Sequence, residues 1–141
     1  MFDSCQTLIS IDLSSFNTEN IKVMLYMFFN AKNLASIDLS NFDTSQVTDM
    51  RNMFDACNSL VYLDISSFDT SKVRDMSNMF KNCQSLKYLD LSDFKVEKVY
   101  DMNRMFFGCT SLKILHFPKF NNSRVDIESM YDGCEAKIIN D

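Results

Sequence analysis

Polar and apolar residues alternate in Tyr62-Leu63-Asp64-Ile65-Ser66, placing Leu63 and Ile65 on one side of a short strand and Tyr62, Asp64 and Ser66 on the other. A turn cluster follows from Ser67 to Ser71, in which Asp69 and Thr70 have side chains suited to bonding the local backbone while Phe68 returns to the apolar side. Val73 anchors a second extended stretch. Asp75 then stands as a helix N-cap before Met76, Met79, Phe80 and Cys83, whose i, i+3, i+4, i+7 spacing predicts a short helix or 3₁₀ turn. Asp49 with Met50, Met53, Phe54 and Cys57 gives the same reading, as does Asp101 with Met102, Met105, Phe106 and Cys109; in the first unit Val23 replaces the cap.

This pattern recurs every 26 residues. Met1, Met27, Met53, Met79 and Met105 fall beneath one another, beside Phe2, Phe28, Phe54, Phe80 and Phe106 and then Cys5, Ala31, Cys57, Cys83 and Cys109. Each unit is one supersecondary piece that buries its apolar face against its neighbours. The sequence therefore predicts a single α/β repeat domain over residues 1–141, a solenoid with one short parallel strand, a second extended segment and a short helix or 3₁₀ turn per coil. Its units are 1–26, 27–52, 53–78, 79–104 and 105–129, with a partial unit 130–141. The expected core columns in the third unit are Met53, Phe54, Cys57, Leu60, Leu63, Ile65, Phe68, Val73 and Met76. About nine such side chains per coil, at roughly 1.5 to 3 kcal/mol each, offset the backbone entropy of ordering it.

The segments Leu60-x-x-Leu63-x-Ile65-x-x-Phe68 and Leu86-x-x-Leu89-x-Leu91-x-x-Phe94 resemble the strand signature of leucine-rich repeats. With Met-Phe-x-x-Cys-x-Ser-Leu and Phe-Asp-Thr-Ser-x-Val-x-Asp-Met added, the chain resembles the BspA-type leucine-rich-repeat surface proteins from Met1 to about Cys134. The resemblance implies a leucine-rich-repeat solenoid within a larger surface protein, a cell-surface or extracellular location, and adhesion or the binding of host or matrix protein. It brings no catalytic residues. The fifth unit departs from the pattern at Leu115-His116-Phe117-Pro118-Lys119-Phe120 and is one residue short before Met130; after Cys134 the pattern decays into Glu135-Ala136-Lys137-Ile138-Ile139. Neither end shows a polar capping unit, so the expectation is a fragment of a larger protein.

Charge and composition narrow the function. A net charge of −5 argues against nucleic acid, which needs clustered Lys and Arg to replace counterions. No apolar run reaches the roughly 18 to 20 residues of a membrane span, and the first residues carry no signal-peptide pattern, which keeps a cytoplasmic location open. The cysteine column places thiols on neighbouring coils roughly 5 Å apart, a spacing compatible with disulfides, yet Ala31 in the same column favours small buried apolar side chains. A line of thiols along an axis does not converge on zinc, and no cofactor is expected. His116, the single histidine, lacks a strained nucleophile turn and an orienting third group, so no enzyme is expected.

Two features remain for a partner. Asp12, Asp38, Asp64 and Asp90 form an outward ladder at about 5 Å, where like charges repel by about 3 kcal/mol at an effective dielectric of 20. Ser14, Ser40, Ser66 and Ser92 with local N–H groups can absorb that charge; alternatively the strip attracts a cation or a basic partner. The column Ser10, Ser36, Tyr62, Tyr88 and Ile114 changes along the repeats, and columns that vary are free to serve binding. A second varying column, Asn20, Gln46, Lys72, Lys98 and Arg124, turns basic towards the C-terminus, as a solvated edge does. The candidate face is thus Tyr62, Asp64, Tyr88, Asp90, Lys87, Ile114 and His116, engaging another protein, with a ligand-free structural spacer as the alternative.

Overall fold

The computed structural model describes residues 2–121 and 123–140. Successive units lie on one another in parallel along two lines of backbone contact. One line is the chain of bridges Val23↔Asp49↔Asp75↔Asp101↔Asp126, whose steps of 26 residues shorten to 25 at the last. The other is a parallel sheet of three strands, β1 (Tyr88–Asp90), β2 (Ile114–Phe117) and β3 (Lys137–Asn140), in the order β1-β2-β3. Tyr88 faces Ile114, Leu89 faces Leu115 and Asp90 faces His116.

In the first three units the equivalent segments are extended without regular pairing. Their links are long, at 3.4 Å from Ala35 N–H to the Ile9 carbonyl, 3.5 Å from Val61 to Ala35 and 3.4 Å from Lys87 to Val61. They tighten to 3.0 Å from Lys113 to Lys87 and 2.9 Å from Lys137 to Lys113. The change coincides with the aspartate column. Units facing Asp across Asp are loosely paired, and regular strands begin where His116 replaces Asp opposite Asp90, in keeping with the cost of like charges directly across a ladder.

β3 occupies sequence in which the 26-residue column spacing is lost. Ile114 follows Cys109 by five residues and Lys137 follows Cys134 by three, so a two-residue deletion hides the register in which Leu115 faces Ile138 and His116 faces Ile139.

The segment read as a short helix or 3₁₀ turn is built from turns, and no helix occurs among the described residues. Met79 N–H bonds the Met76 carbonyl at 3.2 Å and Cys83 N–H bonds Phe80 at 3.1 Å. Between them Asn78 and Asn82 have φ of 57° and 59°, the positive φ that a type II turn requires at its third residue and a helix forbids. The intervening N–H groups point to the next unit: Met76 to Asp101, Asn78 to Asn103, Phe80 to Met105 and Asn82 to Phe107, at 2.7–3.0 Å. Apolar spacing alone does not separate this from a helix, because two consecutive turns also return every third or fourth side chain inward.

Inside, the rings of Phe2, Phe28, Phe54, Phe80, Phe106 and Tyr131 stack in one column, with centroids 5.6–5.8 Å apart and planes within 10° of parallel. Met53, Phe54, Cys57, Leu60, Leu63, Ile65, Phe68, Val73 and Met76 are all buried. Thr70 departs from its expected local role: its hydroxyl donates to the Lys95 carbonyl at 3.2 Å and accepts from Lys95 N–H at 2.7 Å, tying its unit to the next. Thr44 likewise donates to Asp69, while Asp69 does bond locally, accepting from Ser71 N–H at 2.9 Å.

Ala56 stands in the column of Asn30, Asn82 and Gly108 with φ of 61°, where a Cβ is strained. Ala56→Gly is expected to stabilise the fold by about 0.5–1 kcal/mol, despite the greater freedom of glycine in the unfolded chain. Chemical denaturation measures this, and a loss of stability would contradict the strained turn.

Candidate functional site

The strand-side surface is a row of hollows, one at each junction of the first four units. Of these three the largest is a groove of about 310 Å³ between the third and fourth units, lined by Tyr62, Asp64, Ser66, Tyr88, Asp90 and Asp93 among others. Beside it lie hollows of about 90 Å³ carrying Asp38 and Asp64, and of about 130 Å³ carrying Asp12 and Asp38. Four residues of the candidate face, Tyr62, Asp64, Tyr88 and Asp90, thus share one groove. Ile114 and His116 lie on β2 opposite Tyr88 and Asp90, and the Tyr88 and His116 rings approach to 5.8 Å between centroids. Lys87 precedes β1 and does not line the groove.

Each aspartate of the ladder is held by the serine two residues on. Oδ1 accepts the main-chain N–H of Ser14, Ser40, Ser66 or Ser92 at 2.9–3.0 Å, and the hydroxyls of Ser66 and Ser92 add bonds of 2.7 Å to Asp64 and Asp90. These serine bonds hold all four carboxyls below their ordinary range, so the strip is anionic. Tyr88 adds its hydroxyl to Asp90 Oδ2 at 3.2 Å. Tyr62 is 60% exposed and Tyr88 39%.

A second acidic column runs along the bridges. Asp49, Asp75 and Asp101 each cap a turn, accepting the N–H of Arg51, Ser77 and Asn103 at 2.8–3.0 Å. Arg51 lies 2.6 Å from Asp49 and 3.6 Å from Asp75. Asp101 is pushed up from the usual carboxylate range by burial, with Asp75 and Asp126 adding repulsion. This arrangement was not legible as a charged column in the sequence, where the same aspartates read only as caps.

The thiols are built into the interior. Cys57, Cys83 and Cys109 donate to the carbonyls of Phe28, Phe54 and Phe80 at 3.1–3.2 Å, each reaching back one unit. All five cysteines are free, and only Cys5 and Cys134 are partly exposed. Burial pushes the Cys57 and Cys109 thiols up to about 12 and Cys83 well above its usual value, which removes the thiolate needed for attack or metal binding. Among the described residues no group of three or more His, Cys, Asp or Glu side chains is placed to hold a metal ion. No helix among them is long and apolar enough to cross a membrane.

Comparison with known sequences gives one result. The profile of a family described as "Mycoplasma protein of unknown function, DUF285" matches residues 1–117 and, overlapping them, 33–139. Neither the curated proteins nor the solved structures provide a match.

Two measurements probe this chemistry. Titration of the native protein with a thiol reagent is expected to modify Cys5 and Cys134 and to reach the other three only after denaturation; rapid native modification of Cys83 would contradict the buried column. Because the folded pKa of Asp101 is raised, its charge costs stability once pH exceeds the unfolded value of about 4, and the cost is complete above the folded pKa. Asp101→Asn, which keeps an acceptor for Asn103, should therefore raise Tm at pH 7 and lose that advantage as pH falls below about 4. A lower Tm at pH 7 would show that the carboxylate is favourably placed.

Proposed function

The chain belongs to the family of Mycoplasma proteins of unknown function, DUF285, and from that premise we propose that it is a non-enzymatic, adhesion-type protein-binding module of a surface protein. In this reading the stacked units are the coils of a BspA-type leucine-rich-repeat solenoid, and the strand face carries the partner. The observation that supports it best is the groove holding Tyr62 and Tyr88, the large amphipathic residues of a strand-face column that varies between units. Tyrosine supplies broad contact area at small rotamer cost, and exposed pairs of this kind anchor protein interfaces. The repeated columns are engaged in stacking: the Met, Phe and Leu columns fill the interior, and Cys57, Cys83 and Cys109 are buried within it. That division leaves the partner to the strand face.

The test is capture of purified surface and matrix proteins on an immobilised panel. Tyr62→Ala combined with Tyr88→Ala should weaken the capture of a bound partner by at least about tenfold, since both rings are interface anchors. The Tm should stay nearly unchanged. Capture that survives the double substitution would remove the strand face as the binding site, and capture of no protein at all would favour a spacer that holds another domain away from a surface.

A further inference from the structure

We propose that the row of hollows on the strand face recognises an extended protein segment bearing lysine or arginine side chains, with the cationic heads seated between successive aspartates and their stems against Tyr62 and Tyr88. This rests on the protein-binding reading above and names the chemistry of the partner.

Charge complementarity carries it. Every charged residue lining the main groove is acidic, namely Asp64, Asp90 and Asp93, and no Lys or Arg lines it or the two smaller hollows. Each hollow between the first four units takes one aspartate of the ladder from either side, so carboxylates flank the place where a single cation would sit. In Asp64 the serine bonds engage Oδ1 alone, and Oδ2 accepts no hydrogen bond among the described residues. A cation between Asp64 and Asp90 would therefore gain an acceptor oxygen without breaking the turn that holds the carboxylate in place.

The aromatic rings supply what a simple acidic patch lacks. Tyr62 and Tyr88 flank the same groove as the carboxylates, and a tyrosine face attracts an ammonium or guanidinium group while its edge covers the aliphatic stem. A groove of about 310 Å³ lies at the bottom of the range of roughly 300–1,000 Å³ typical of small-molecule sites, which suits one long side chain. Three hollows repeated at about 5 Å, the inter-strand spacing, span a row that four or five extended residues at about 3.3 Å each would follow.

The loose pairing of the same units is the second sign. Backbone links of 3.4–3.5 Å persist where aspartate faces aspartate, and they shorten to about 3.0 Å where His116 takes that place. Cations between the carboxylates would relieve the repulsion that accompanies the wider spacing.

The experiment uses a fluorescein-labelled peptide of alternating lysine and alanine and measures its anisotropy with the full chain at low and physiological salt. A version with every lysine acetylated serves as the uncharged control. Saturable binding of the lysine peptide is expected, together with loss on acetylation. Asp64→Asn combined with Asp90→Asn, which keeps an oxygen for each serine, should weaken it about tenfold and flatten its salt dependence. Asp43→Asn combined with Asp69→Asn removes the same charge from other exposed sites and should change affinity less than twofold. No saturable binding, or equal losses in both double variants, would overturn the proposal, the latter by revealing only a net-charge effect. If a protein partner is captured through Tyr62 and Tyr88 but is neither displaced by the lysine peptide nor sensitive to Asp64→Asn and Asp90→Asn, the charge assignment fails while the protein-binding reading stands. If the tyrosine substitutions leave capture of that partner intact, it is the placement of protein binding on the strand face that fails.

Discussion

A phenyl ring can meet its own counterpart from the next repeat only if the chain returns to the same place after every circuit. The column from Phe2 through Phe106 to Tyr131, nearly parallel throughout, is the constraint to which the other features conform. Its spacing of 5.6–5.8 Å exceeds the roughly 4.8 Å between hydrogen-bonded strands, as tilted or offset rings allow. Around it the alternate N–H groups of each turn pair reach the following unit, so a unit's own turn and its attachment to the neighbour are made by the same eight residues. Neither would satisfy the backbone alone.

The sequence makes this interior legible because stacking allows little variation. A methionine, phenylalanine or cysteine column repeats when each position meets its own kind on both sides, and the burial of Met53, Phe54, Cys57 and Met76 follows that rule. Other parts are illegible for identifiable reasons. Paired turns return apolar side chains at nearly helical spacing, and only the positive φ at positions such as Asn78 and Asn82 distinguishes them. The asparagines in those columns are the available clue, since asparagine tolerates a left-handed backbone. Thr70 bonds a residue 25 positions away, a partner that no local motif discloses. β3 escapes notice because two missing residues after Cys134 shift it out of the column while the pairing register is kept.

The surface was legible in a different way. Columns that change from unit to unit do not belong to the stack, and the change from serine to tyrosine at Tyr62 and Tyr88 marks the strand face in the sequence alone. What the pattern could not supply is the concavity joining those rings to Asp64 and Asp90, which arises from how neighbouring units meet. Lys87 was adjacent in sequence but lies outside that concavity. The bridge-side column shows the opposite case: Arg51 is close to two aspartates and serves the fold, while burial and the neighbouring aspartates cost Asp101 more than Asn103 and Arg51 offset.

Stacking in register is the claim on which both the interior and the strand face depend. Nuclear Overhauser spectroscopy on protein carrying ring-labelled phenylalanine tests it most directly, because ring protons of Phe54, Phe80 and Phe106 can exchange magnetisation only when they are neighbours in space. The account predicts ring-to-ring contacts between Phe54 and Phe80 and between Phe80 and Phe106, residues 26 apart in sequence. Contacts confined within single units, or contacts at a different sequence interval, would contradict it.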